Sequence, residues 1–135
     1  MVDEVVRAAK IAAILDAVQR IREMLPETAK QLDADRSARE IVILNLYVAI
    51  QAAIDLALHW LADEGWTVPE SYGKAFLVLA EHGVIERDLA KKLFDAAGLR
   101  NLIAHRYGEI DVERLHASAS ADLDDLVALC RALAG

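Results

Sequence analysis

The sequence predicts an all-α protein, a bundle of four to five helices with short connections. Apolar residues recur at three- and four-residue steps along most of the chain, the spacing of one helix face. Gly (6) and Pro (2) are scarce beside abundant Ala and Leu, which favours long helices over many turns. No alternating apolar and polar run suggests a strand, and no internal repeat or low-complexity tract appears. At 135 residues, 56% hydrophobic and 27% charged, the chain is expected to form a single domain over residues 1–135.

The first helix is expected from Asp3 to Leu25. Val6, Ile11, Ile14, Leu15, Val18, Ile21 and Leu25 share a face, Asp3 is a cap and Pro26 marks the end. Glu27 to Asp35 is polar and reads as a connection, part of which is compatible with helix. Ser37-Ala38-Arg39-Glu40 has the capping-box pattern and opens the long apolar run from Ile41 to Ala62. That length invites a membrane-spanning reading, but Asn45, Gln51, Asp55 and His59 interrupt it. An acidic residue near mid-bilayer costs about 3 kcal/mol, so a central core helix is expected instead. Gln51, Asp55 and His59, at i, i+4 and i+8, form a polar stripe, with Asp55 and His59 expected to pair within the core.

Gly65 to Glu70 reads as a loop anchored by Trp66. Ser71 is expected to cap a short third helix through Phe76, Leu77 and Leu79 that stops at Gly83. Glu86 to about His105 is the fourth helix, with Leu89, Leu93, Phe94, Ala97, Leu102 and Ile103 inward. Asp111 caps a fifth helix carrying Leu115, Leu123, Leu126, Leu129 and Leu133. Tyr47 and Tyr72 read as packing residues.

Composition narrows the functional classes. A net charge of −7 argues against a protein that holds nucleic acid through a broad basic surface, so any such contact is local. Cys130, the only cysteine, excludes an internal disulfide and is expected to be buried on the last helix. The opening Met-Val-Asp-Glu has neither a basic segment nor a signal-like apolar core, so a cytoplasmic location and no membrane partner are expected. No Gly-rich phosphate loop, paired-cysteine metal site or Ser/Cys nucleophile motif is present. Glu113 and His116 have E-x-x-H spacing, but a di-iron bundle needs two such copies, so no metal and no cofactor are expected.

One stretch concentrates chemistry: Arg100-Asn101-Leu102-Ile103-Ala104-His105-Arg106-Tyr107, closed by Gly108. On an undistorted helix Arg100 and His105 point about 140° apart, so they meet only if the last turn loosens or a second subunit intervenes. Asn101 and His105 share a face, where the amide can bond the imidazole and fix its tautomer. Imidazole moves protons near neutral pH, and guanidinium stabilises charge on a phosphate. RNA carries its own nucleophile in the 2′-hydroxyl, so this set suits metal-free RNA cleavage. The reaction needs both a base and an acid. With one histidine in the segment, a homodimer bringing two copies of His105 together is expected as a requirement of the mechanism. Arg106 suits either a phosphate contact or the helix end, and Lys91 and Lys92 read as a solvated face.

Arg100, His105 and Tyr107 form R-x4-H-x-Y, with polar Asn101 directly after the arginine. With Gln51-Ala52-Ala53-Ile54-Asp55, Pro69-Glu70-Ser71-Tyr72 before Phe76, and the block from Gly98 to Asp111, the chain resembles HepT-like proteins, a branch of the HEPN superfamily. The resemblance implies an up-and-down HEPN bundle and a ribonuclease toxin of a type VII toxin–antitoxin pair, dimeric with R-x4-H segments facing the cleft. It implies an RNA substrate, tRNA or mRNA, and a minimal nucleotidyltransferase (MNT) antitoxin that adds AMP to Tyr107. Arg100 and His105 would be catalytic, with Asn101, Arg106 and Tyr107 supporting. The other reading is a non-catalytic module that docks onto a nucleotidyltransferase or RNA.

Overall fold

A computed structural model describes residues 3–134. They form six helices: α1 (Glu4–Met24), α2 (Ala29–Ala34), α3 (Arg36–Glu64), α4 (Lys74–Glu81), α5 (Arg87–His105) and α6 (Val112–Ala134). A 3-10 turn, Tyr107–Glu109, lies between the last two. All-α architecture is therefore observed, with the expected connection after Pro26 supplying the short additional helix α2.

The helix ends show where the sequence pattern sufficed. Asp3 caps α1, its Oδ1 accepting from the Val5 and Val6 amides at 2.8 and 3.2 Å. Leu25 is extended (ψ 118°), as the residue before a proline must be, and α1 stops there. The capping box sits at α2, where Thr28 and Gln31 exchange side-chain and backbone bonds of 3.1 Å each. At α3 the expected Ser37–Glu40 box does not form. Asp35 is the cap, accepting from the Ala38 amide at 3.1 Å, while Glu40 binds Arg36 Nε at 2.7 Å. The helix thus starts at Arg36 and leaves Ser37 inside its first turn.

Gly65 ends α3 and Gly83 follows α4, each at φ 75°, the left-handed conformation that glycine adopts without strain. Ser71 does not cap α4. The N-cap is Gly73, where no side-chain bond forms and where a Cβ would lie 3.0 Å from Ala97 Cβ. The helix start is set by close packing on α5 rather than by a hydroxyl. Asp111 Oδ1 accepts from the Glu113 amide at 3.0 Å and opens α6 as expected.

Helix α3 is central, packing on every other helix. Leu46, Ile50, Ile54, Leu56 and Leu61 are fully enclosed on it, and Ile14 and Ile21 of α1, Phe76 of α4, Leu93 of α5 and Leu126 of α6 complete the core. It is long and apolar enough to cross a membrane, yet 56% of its most apolar window is buried inside the bundle. Among the described residues no polar or charged residue is fully buried. Leu15 and Phe94, expected inward, are partly open to solvent. Cys130 is buried, and burial pushes its thiol up to about 11.

The expected Asp55–His59 pair is not formed. His59 is exposed, and Asp55 instead takes Gln51 and Lys10 as partners. His116 Nε2 lies 2.8 Å from the Pro26 carbonyl and ties α6 to the corner between α1 and α2. Among the described residues no three His, Cys, Asp or Glu side chains are grouped as metal ligands.

Candidate active site

The polar stripe of α3 meets α5 at Arg100. Arg100 is half-buried, and all three of its nitrogens are engaged. Nε donates to Gln51 Oε1 at 2.6 Å, Nη1 to Asn101 Oδ1 at 3.0 Å and Nη2 to the Tyr47 hydroxyl at 3.4 Å. The guanidinium carbon also sits 5.3 Å from the centre of the Tyr47 ring, within cation–π range.

Gln51 orients this arginine because its own amide has one workable direction. Its Nε2 donates to Asp55 Oδ1 at 2.9 Å, and an ionised carboxylate only accepts, so the Gln51 carbonyl must face Arg100. Lys10 Nζ lies 3.5 Å from Asp55 Oδ2 and steadies the far end. A chain of complementary groups therefore runs Lys10, Asp55, Gln51, Arg100, linking α1, α3 and α5.

His105 is the last residue of α5 and is exposed. The Arg106 amide still donates to the Leu102 carbonyl at 2.8 Å, so the helix is intact through His105 and breaks at Arg106 (φ −141°, ψ 45°). The last turn does not loosen between Arg100 and His105, and the two side chains make no direct bond. The expected Asn101–His105 bond is likewise absent among the described residues, since Asn101 Oδ1 is taken by Arg100. Arg106 turns back onto Glu109 at 3.3 Å. Tyr107, 56% exposed, stands in the 3-10 turn and opens onto a cleft beside the start of α3. Lys91 is exposed and Lys92 pairs with Asp88 at 3.2 Å, as a solvated face would.

The ribonuclease HepT-like family profile matches residues 14–133. The chain belongs to the HepT-like family. It is 32% identical over 104 residues, 77% of each protein, to an mRNA nuclease HepT of Shewanella oneidensis. It is 31% identical over 75 residues, 56% of this chain and 51% of the other, to a tRNA nuclease HepT of Aphanizomenon flos-aquae. A solved complex of a tri-AMPylated Shewanella oneidensis HEPN toxin with MNT antitoxin superposes with a TM-score of 0.87 at 28% identity, covering 98% of this chain and 97% of that one. A toxin–antitoxin structure with AMP-PNP gives a TM-score of 0.87 at 27% identity over 94% and 96% of the two chains. The bundle is thus of HEPN type.

Two contributors to this HepT-like site escape the R-x4-H-x-Y pattern, Gln51 and Tyr47. Gln51 was visible as a polar position on an apolar helix, whereas Tyr47 looks like any packing tyrosine. Leu44 and Val48, 62% and 40% exposed, lie on the same α3 stripe. With Tyr47 and Gln51 they are spaced i, i+3, i+4 and i+7, so an open apolar strip adjoins the arginine.

Proposed function

We propose that the chain is the toxin of a toxin–antitoxin pair, a metal-independent endoribonuclease acting in the cytoplasm. The observation that carries this reading is the fixed Arg100 guanidinium on the helix whose end presents His105 to solvent. The nuclease names and toxin–antitoxin complexes of its relatives support it.

Arginine carries five N–H bonds. Three are spent on Gln51, Asn101 and Tyr47, leaving one on each terminal nitrogen for a phosphate oxygen. In the reaction the RNA 2′-oxygen bonds to phosphorus and the P–O5′ bond breaks, giving a 2′,3′-cyclic phosphate and a 5′-hydroxyl. One His105 takes the 2′-proton and a second returns a proton to the leaving oxygen. Arg100 stabilises the charge that gathers on the non-bridging oxygens.

Two histidines require two copies of the chain. The exposed Leu44 and Val48, beside Arg100, offer the apolar strip on which a second copy would bring the sites together. The off-switch in this reading is transfer of AMP to Tyr107 by an MNT antitoxin. It adds bulk and negative charge two residues from His105, where the RNA phosphate must approach.

The test is expression of the parent chain and of His105→Ala, followed by growth, RNA cleavage without added metal, and sedimentation at assay concentration. The parent should arrest growth and cut RNA as a dimer, and the variant should do neither while remaining folded. A folded parent that leaves RNA intact and growth normal refutes the toxin reading. A tight complex with the nucleotidyltransferase and an unmodified Tyr107 would then favour a docking module.

A further inference from the structure

Tyr107 lies in a cleft of about 380 Å³ whose other walls include Arg36, Arg39 and Ile43 of α3 and Ile110 and Val112. RNA cleavage at Arg100 and His105 does not account for this cleft. Both arginines are anchored in a way that leaves donors free. Arg36 binds Glu40 through Nε alone, and Arg39 binds the Asp33 carbonyl through Nη1 at 2.6 Å, with the Asp33 carboxylate 3.9 Å from the same nitrogen. Among the described residues, both terminal nitrogens of Arg36 and the Nε and Nη2 of Arg39 make no hydrogen bond. Asp35 caps the Ala38 amide at the start of α3, and Glu40 also lines the cleft, so each guanidinium has a carboxylate beside it and what the cleft offers an anion is the unused donors of the two arginines. The hydrogen bond from Arg36 to Glu40 and the charge of that carboxylate raise the Arg36 pKa.

We propose that Arg36 and Arg39 form a clamp for the phosphate of AMP once it is attached to Tyr107, drawing the nucleotide into the cleft at the start of α3. This rests on the adenylylation reading above. AMP transfer from ATP joins the α-phosphorus to Tyr107 Oη, breaks the bond to the β-phosphate, releases pyrophosphate and passes the phenolic proton to solvent. The product is a phosphodiester with one negative charge and two free oxygens, a match for guanidinium donors in a fork. Ile43, Ile110 and Val112 supply an apolar wall for the base. Anchored there, the modification stays folded against the start of α3 and is shielded from enzymes that would remove it.

The test uses the full chain adenylylated on Tyr107 by an MNT enzyme with ATP, then treated with a phosphodiesterase, AMP loss being followed by intact mass. Arg36→Gln/Arg39→Gln should lose AMP roughly 5-fold to 10-fold faster than the parent, the order of one or two solvent-exposed ion pairs. Arg36→Gln alone, at a side chain 83% exposed and so without risk to the fold, should show a smaller acceleration in the same direction. Equal release from parent and both variants, with Tyr107 fully modified, overturns the clamp and leaves adenylylation standing. Failure of AMP to reach Tyr107 in the parent sinks both ideas. RNA cleavage by the unmodified variants should match the parent; its loss would assign the arginines to RNA and overturn the clamp as well.

Discussion

At the scale of single residues, the site depends on how one amide is turned. Gln51 presents its carbonyl to Arg100 because Asp55 can accept only from its NH2 group. In Gln51→Ala, Arg100 loses its shortest bond, and the Asp55 carboxylate keeps only the 3.5 Å contact to Lys10. The expected result is a folded protein less stable by about 1 kcal/mol, the usual net value of a hydrogen bond. On the ribonuclease reading proposed above, RNA cleavage should fall by roughly 10-fold or more, as misplacing a transition-state donor does. Circular dichroism and a gel assay of RNA cleavage check the two halves separately. Arg100, His105 and Tyr107 were legible because they stand within eight residues of one another. The bond from Arg100 to Gln51 spans 49 positions, a separation on which local periodicity carries no information. Tyr47 was opaque for another reason: a tyrosine on an apolar helix has the same pattern whether its hydroxyl meets water or an arginine.

At the scale of elements, periodicity located the long helices and failed at their starts. Between Asp33 and Ser37 the chain offers three side chains able to cap a helix, and the sequence pattern favours Ser37 with Glu40. The structure starts the helix earlier: the Asp35 side chain accepts from the Ala38 amide at 3.1 Å and the Asp35 carbonyl accepts from the Arg39 amide at 2.9 Å, so Ser37 is already within the first turn. Asp35 then closes α2 and opens α3 at once. Asp35→Ala should therefore cost about 1 kcal/mol, the typical value of a lost N-cap, whereas Ser37→Ala, lying inside the first turn, should change stability by no more than about 0.5 kcal/mol. Urea denaturation of the two variants side by side separates these assignments, and a larger loss from Ser37→Ala would reverse them. At the other end of the site, α5 keeps its helical bonds to its last residue. Its backbone bonds continue to Arg106, so Arg100 and His105 leave the helix in different directions, which is the geometry behind the dimer proposed above.

At the scale of the whole molecule, an excess of negative charge meets tight packing where α5 and α6 come together. Burial pushes the Asp122 carboxyl up to about 6, with repulsion from Asp125 and Asp95 adding to the shift and Arg114 partly relieving it. Asp125 is raised in the same direction, again mainly by burial. The all-α bundle was readable from patterning, but this cluster was not, because Asp95 and Asp122 belong to different helices and only packing makes them neighbours. The sign of its effect on stability follows from the direction of the shift. A carboxyl whose folded pKa lies above its unfolded value holds its proton more tightly in the folded chain between about pH 4 and pH 6. Folding is therefore favoured as pH falls through that window, and above it the ionised, partly desolvated group is a constant penalty. Unscreened, the rise to about 6 would correspond to about 3 kcal/mol, but Asp122 is only partly enclosed and water screens the charge, so about 1 kcal/mol is the expected cost at pH 7. Asp122→Asn should raise the melting temperature by about 3 to 5 °C at pH 7, and the gain should shrink as pH falls to about 4 and vanish only below it, where the carboxyl is protonated in both the folded and the unfolded chain. Thermal melts of both proteins at pH 4, 5.5 and 7 check this, and a gain that persists undiminished at pH 4 would mean that Asp122 is not the group responsible.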